Sequence, residues 1–152
     1  MPRHNQSRSL PYSAERMMDL VADVGRYPEF IPWCTAARVR SRDAAADGEV
    51  MIADLSVGFR SFRETFTSRV VIRPAPMTID VEYLDGPFRY LHNRWEFRQD
   101  GPDACVIDFA IDFEFRSRIL AFAVEAVISE AVQRMIDAFE KRADELYKTQ
   151  AN

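Results

Sequence analysis

Polar and apolar residues alternate with a period of two from position 35 to position 115, and both flanks carry apolar residues at helical spacing. The alternating part divides into strands at 35–42, 49–57, 62–73, 77–84, 90–99 and 104–115. The breaks between them hold Asp47-Gly48, Gly58, Pro74 with Pro76, Gly86-Pro87 and Asp100-Gly101-Pro102. Strands joined by such short turns form an antiparallel meander. In the last strand Ile107, Phe109, Ile111, Phe113 and Phe115 share one face, and Asp108, Ala110, Asp112 and Glu114 the other. In 90–99, Leu91, Trp95 and Phe97 share a face with Asn93, while His92, Arg94, Glu96 and Arg98 face water. Neighbouring strands of this kind let Arg94 and Arg98 pair with Asp108, Asp112 or Glu114.

Before the meander, residues 5–11 read as a short strand. Ser13 is placed to cap a helix whose apolar face is Met17, Met18, Leu20, Val21 and Val24, with Gly25 as its stop. A short helical turn follows over Tyr27 to Ile31, before Pro32. After the meander, Ser117 to Lys148 contains no Gly or Pro and predicts a single helix about 45 Å long. Its stripe is Leu120, Val124, Val127, Ile128, Ala131, Met135, Ala138, Phe139 and Leu146. Ile119, Phe122 and Ala126 widen the apolar surface of its first turns beyond what a half-solvated helix carries, so something must cover them. The whole reads as one α+β domain over residues 1–152, a curved antiparallel sheet wrapped around a long C-terminal helix. A bent sheet of this kind leaves room for a ligand against its concave face.

Composition sharpens this picture. Phenylalanine supplies 11 residues against 2 tryptophans, and Phe fills cores and apolar cavities without needing a hydrogen-bond partner. The net charge of −4 gives no bulk attraction to nucleic acid or anionic lipid. Cys34 and Cys105 have no metal-like spacing and read as small buried hydrophobes in a reducing, cytoplasmic setting. The first residues carry no signal-peptide pattern. The longest apolar run, Ile119 to Ile128 with Glu125 inside it, is far short of a membrane span, so any membrane contact is expected to be peripheral.

Catalytic chemistry is poorly represented. His4 falls in a terminal arm and His92 on a polar strand face. No nucleophile elbow, phosphate loop, dinucleotide fingerprint or metal-ligand spacing occurs. Asp108, Asp112 and Glu114 at spacing two read as an outward, solvated row. Glu64, Ser68 and Asn93 interrupt apolar patterns. Each either bonds to backbone or water, or orients a ligand in a pocket. Arg38, Arg40 and Arg42 alternate on one strand, and Arg63, Arg69 and Arg73 on another. They form either a solvated exterior or a phosphate-contacting surface.

The run Val24-Gly25-Arg26-Tyr27-Pro28-Glu29-Phe30-Ile31-Pro32-Trp33-Cys34 resembles the Tyr-Pro-x-Phe-x-Pro-Trp-Cys signature of the coenzyme Q-binding protein family, in the START-like, polyketide cyclase-like superfamily. Val57-Gly58-Phe59, Phe62 with Glu64, Gly86-Pro87-Phe88, Leu91 with Trp95 and Phe97, Val106 to Phe115, and Phe139 with Arg142 extend the resemblance over nearly the whole chain. It implies the helix-grip fold and a cavity for ubiquinone or a similar polyprenyl lipid. It also implies support of respiratory quinone function, without turnover and with no cofactor besides that ligand. Bacterial relatives carry the name ribosome association toxin, which implies an alternative partner in the large ribosomal subunit. The superfamily's polyketide cyclases and aromatases imply an enzymatic alternative, for which Glu64 is the acid candidate. The implied setting is cytoplasmic, with peripheral contact to the inner membrane.

Periodicity and resemblance together nominate Trp33, Leu55, Val57, Phe59, Phe62, Glu64, Phe66, Phe88, Asn93, Trp95, Phe97, Phe109, Phe113, Phe122 and Val124 as ligand-binding residues. Trp33 is expected near the mouth. A pocket of about 300–1,000 Å³ holds a headgroup and a few isoprene units. A fifty-carbon tail, needing about 1,500 Å³ at a water-like volume per carbon, trails out.

Overall fold

The computed structural model describes residues 3–59, 62–125 and 127–148; the side chains of Phe59 and Phe62 also lie outside the described part, as does Ala126. The chain runs β1 (Arg3–Leu10), α1 (Ala14–Ala22), a 3-10 segment (Val24–Glu29), β2 (Cys34–Ala45), β3 (Gly48–Phe59), β4 (Phe62–Pro74), β5 (Met77–Asp85), β6 (Phe88–Gln99), β7 (Cys105–Phe115), α2 (Arg118–Glu125) and α3 (Ile128–Tyr147). All seven strands form one antiparallel sheet in the order β1-β7-β6-β5-β4-β3-β2. The meander from β2 to β7 agrees with the sequence pattern. Periodicity could not give the place of β1, which pairs with β7 along its whole length, from Arg3 opposite Asp112 to Leu10 opposite Cys105. His4 is therefore a strand residue opposite Ile111 rather than part of a loose arm.

Register shifts bend the sheet at Cys34/Ala36 and Val39/Ser41 in β2, at Thr67/Ser68 between β4 and β5, and at Phe88/Tyr90 between β6 and β7. The shift at Val39/Ser41 also breaks the expected arginine row. Arg38 stands opposite Asp54 but Arg42 opposite Met51, so the two do not share a face. Arg98 pairs with Asp108 at 2.9 Å, as the alternation predicts. Arg94 does not pair with β7. The residue opposite it there is Ala110, while on β5 it faces Asp80 and bonds to it at 2.7 Å.

Ser13 caps α1, its hydroxyl accepting from the Arg16 N–H at 3.2 Å. The helix ends at Ala22, with Asp23 as C-cap, and Gly25 falls inside the following 3-10 segment rather than ending α1. The larger correction is at the C-terminus. The single long helix is two helices, with Val127 at φ −126° between them and α3 about 30 Å long. The division has a packing reason. α2 lays Leu120, Ala121 and Val124 on a cluster of Phe88, Leu91, Phe113 and Phe115. α3 lays Val132, Met135, Ile136, Phe139 and Ala143 on a separate core built from α1, Trp95, Phe97 and Phe109. The change of direction at Val127 lets each helix follow its own cluster.

Candidate functional site

The gap between those two clusters is a cavity of about 250 Å³. Val81, Ile111 and Ile128 belong to the margins of both clusters, are only half-buried, and line the gap. β3 to β7 give its floor, α2 and α3 its cover, and α1 with the 3-10 segment one end. Ten of the nominated residues meet on its wall: Trp33, Leu55, Val57, Phe66, Phe88, Asn93, Trp95, Phe109, Phe113 and Val124.

Three described candidates lie off the wall. Phe122 is 83% exposed, because α2 turns Leu120, Ala121 and Val124 inward instead. Phe97 is buried two residues beyond Trp95, stacked on it at 6.3 Å, in the filled core beneath α1. Glu64 shares the pleat of Phe66 and Ser68 but sits toward the β3–β4 hairpin, half-buried and away from the cavity. Phe59 and Phe62 stand opposite each other where that hairpin closes, and their side chains lie outside the described part.

The wall also uses residues the sequence did not nominate. Val21, Val24 and Tyr27 come from the N-terminal helical segments, and Ala131, Met135 and Phe139 from α3. The helical stripes contained most of these, but only the way the two ends pack together brings them to one space. Phe139 joins them, with edge-to-face ring contacts to Tyr27 at 5.4 Å, Phe30 at 5.3 Å and Trp95 at 5.4 Å.

The Tyr-Pro-x-Phe-x-Pro-Trp-Cys segment seals this end. The Tyr27 hydroxyl donates to the Val21 carbonyl, and the Trp33 indole donates to the Ala131 carbonyl at 3.1 Å. The Gly58 N–H donates to the Trp33 carbonyl at 2.8 Å. Arg142 lies over the Phe30 ring at 5.2 Å and bonds Glu29 at 2.9 Å. A short sequence signature thus ties β2, β3 and α3 into one plug.

Polar groups on the wall are few, and most are already bonded. The Asn93 amide donates to the Ala110 carbonyl at 2.8 Å, and its oxygen accepts from the Trp95 indole at 2.8 Å. This answers the open reading for Asn93, whose main role is to hold Trp95. Ser68 is the exception. It is 3% exposed, it lines the cavity, and its hydroxyl has no hydrogen-bond partner among the described residues. The break in apolar pattern at position 68 was the one sequence signal for it.

No carboxylate, histidine, lysine, arginine or cysteine lies on the wall among the described residues. Tyr27 is the only titratable group among the described wall residues, and burial pushes its phenol far above its ordinary range. The two thiols are buried and free. Burial pushes Cys34 up to about 11 and raises Cys105 as well. Among the described residues, no group of His, Cys, Asp and Glu could hold a metal ion. The arrangement can enclose an apolar molecule and offer it one hydroxyl; the described wall supplies no acid–base pair.

Known proteins place this geometry. The family described as polyketide cyclase / dehydrase and lipid transport matches residues 10–140. Ribosome association toxin RatA of Pseudomonas aeruginosa is 37% identical over 148 residues, covering 97% of this chain and 99% of that protein. Coenzyme Q-binding protein COQ10 homolog B, mitochondrial, of Xenopus laevis is 34% identical over 97% of this chain, which spans 60% of that protein. An 18 kDa protein of Caulobacter crescentus, solved in solution, superposes with a TM-score of 0.81 at 36% identity, over 97% of this chain and 99% of that one. The Zhui aromatase/cyclase of Streptomyces shares the fold, with a TM-score of 0.81 at 16% identity over 94% of this chain and 93% of that one. The apolar cavity under a split C-terminal helix is thus housed in a START-like fold, and the chain belongs to the polyketide cyclase / dehydrase and lipid transport family.

Proposed function

We propose that this chain is a non-catalytic carrier that holds the ring of a polyprenyl quinone, ubiquinone or a close relative, in the cavity. The observation that carries the reading is a cavity whose wall is largely aromatic and aliphatic, with, among the described residues, a single buried hydroxyl left unbonded. The volume of about 250 Å³ is below the range expected from the sequence. At about 30 Å³ per heavy atom it takes roughly eight, a bare quinone ring with its two oxygens, so the methoxy groups of a ubiquinone ring extend past this space. The isoprenoid tail then begins to leave the protein within its first unit, earlier than the sequence reading expected. The coenzyme Q-binding name of the Xenopus relative supports the same ligand class. No other cofactor is proposed, and the setting is cytoplasmic with peripheral membrane contact. Among the described residues, no helix is long and apolar enough to cross a membrane.

The test is organic extraction and mass spectrometry of the purified protein, followed by titration with a short-tailed quinone. Trp33 and Trp95 both line the cavity, so their fluorescence reports entry directly. Absence of any co-purifying prenyl lipid, together with no quenching by added quinone, rejects the carrier reading.

The name of the Pseudomonas relative supports a second reading, association with the ribosome. The arginines available for it are largely engaged. Arg40 bonds Asp54 at 2.8 Å, Arg42 bonds Glu49, Arg69 bonds Glu82 at 3.3 Å, and Arg73 bonds Asp47 and Asp80 at 3.0 and 3.1 Å. Ribosome binding through these arginines must fall steeply with salt and vanish when Arg38, Arg40 and Arg42 are all replaced by Ser. The enzymatic alternative has little support, since Glu64, its acid candidate, is off the wall.

A further inference from the structure

The segment that the sequence marked as too apolar to be solvated is uncovered in the structure. On α2, Ile119 and Phe122 are each 83% exposed. They stand three residues apart, on one face of the helix. The opposite face packs on the sheet through Leu120, Ala121 and Val124. β5 and β6 are joined by the turn Gly86-Pro87. That turn is fastened to the start of α2: the Arg116 backbone N–H donates to the Pro87 carbonyl and its guanidinium to the Phe88 carbonyl, both at 3.0 Å. Within residues 84–89 and 116–125 three arginines, Arg89, Arg116 and Arg118, are exposed against two exposed carboxylates, Asp85 and Glu125. The balance is locally positive in a chain of net charge −4.

We propose that the outer face of α2 docks on the surface of a lipid bilayer. Ile119 and Phe122 enter the acyl boundary, and the neighbouring arginines meet anionic headgroups. Two large apolar side chains among cations fit that partner better than a neutral protein groove, because each half of the patch has a matching layer in the membrane. The choice of partner rests on the carrier reading, and the geometry links the two. Ala123 and Val124 of this same helix line the cavity, so one short element touches the bound ring on one side and the bilayer on the other. A prenyl tail that cannot fit within about 250 Å³ then passes from the protein straight into hydrocarbon.

The experiment is flotation of the full chain with vesicles of phosphatidylcholine plus phosphatidylglycerol, and with phosphatidylcholine alone. Wild type is expected to float with the mixed vesicles, less with the neutral ones, and less at high salt. Ile119→Ser with Phe122→Ser alters only exposed positions, so the fold survives, and vesicle affinity falls about a hundredfold. Phe122→Cys carrying an environment-sensitive fluorophore is expected to shift to the blue on mixed vesicles. Flotation unchanged in the double variant, or no spectral shift, overturns the proposal. So does a wild-type dimer that the double variant converts to monomer, since the patch then belongs to a second copy. Quinone quenching without flotation refutes docking and leaves the carrier reading standing. Flotation without quinone uptake does the reverse.

Discussion

Ala53→Leu separates a ligand cavity from an imperfectly packed core by the sign of its effect. Ala53 lies on β3, 2% exposed, directly opposite Ser68, and both line the cavity. The substitution adds three carbons. At about 30 Å³ each they occupy about a third of the 250 Å³ available. Burying them contributes about 0.8 kcal/mol per carbon. Fixing the leucine rotamer costs about 0.5–1 kcal/mol. The net is a gain of about 1–2 kcal/mol in the lipid-free protein, or about 3–6 °C in Tm for a chain of this size. In a core with no usable space the same change overpacks, and costs about 1–3 kcal/mol. The assay is urea and thermal denaturation of delipidated wild type and variant, beside quinone titration read by Trp33 and Trp95. The expected result is higher stability with quinone affinity lowered at least tenfold. A destabilised variant that binds quinone as wild type does would refute both the space and its use.

Ser68→Ala removes the unbonded hydroxyl. It is expected to leave stability unchanged or slightly higher, and to weaken a quinone about five- to tenfold relative to a ring hydrocarbon of equal size, as competition titrations would show. Trp95→Ala deletes ring contacts to Phe97, Phe109 and Phe139 and frees the Asn93 oxygen, so it is expected to cost about 3–5 kcal/mol in denaturation experiments and to abolish quinone quenching. The Asp54 carboxylate is held below its usual range, chiefly by the hydrogen bond Thr67 donates at 2.6 Å and then by Arg40, against the opposing effect of burial. A folded-state pKa below the unfolded one stabilises above about pH 4 and is lost as pH falls through the folded value. Thr67→Val is therefore expected to destabilise most near neutral pH, with the deficit shrinking in acid; an equal deficit at both ends of the range would contradict the linkage.

The sheet was legible because its alternation is strict: from Ile107 to Phe115 each second residue is apolar, and that row is the one facing the cover. Eight to thirteen residues per strand and turns rich in Gly and Pro left little freedom in the boundaries. The C-terminal break was not legible, because nothing between Ser117 and Lys148 breaks a helix locally. The interruption at Val127 comes from tertiary packing on two separate clusters, which outweighs helix propensity. The same cause hid the outward turn of Phe122. Its spacing from Ile119 suits a buried stripe equally well, and only the placement of Val124 against Phe88, Phe113 and Phe115 decides which side faces out. Phe97 failed differently: alternation gives the face of a sheet, not the position along it, and that face holds both filled core and open space.

That position along the strands explains why a cavity exists at all. On β7, β6 and β5, Ile111, Asn93 and Val81 stand directly opposite one another; on β4 and β3, Ser68 and Ala53 do the same. All five line the cavity, and none is aromatic. On one side of them Leu91 faces Phe113, and on the other Trp95 faces Phe109. On β6 and β7 a band of medium-sized residues thus lies between Leu91 with Phe113 and Trp95 with Phe109. The rings meet the helices on either side and hold the cover away from the band between them. Protein interiors close such gaps when side chains can relax into them. Here the flanking rings are fixed by contacts at 4.8 Å for Trp95 with Phe109 and 5.8 Å for Phe88 with Phe113, so the wall cannot collapse inward. The space is therefore written into the residue sizes of two neighbouring rows, Val81-Asn93-Ile111 and Ala53-Ser68, which the β4–β5 pairing offsets by setting Val81 opposite Val70 and Ser68 opposite Tyr83.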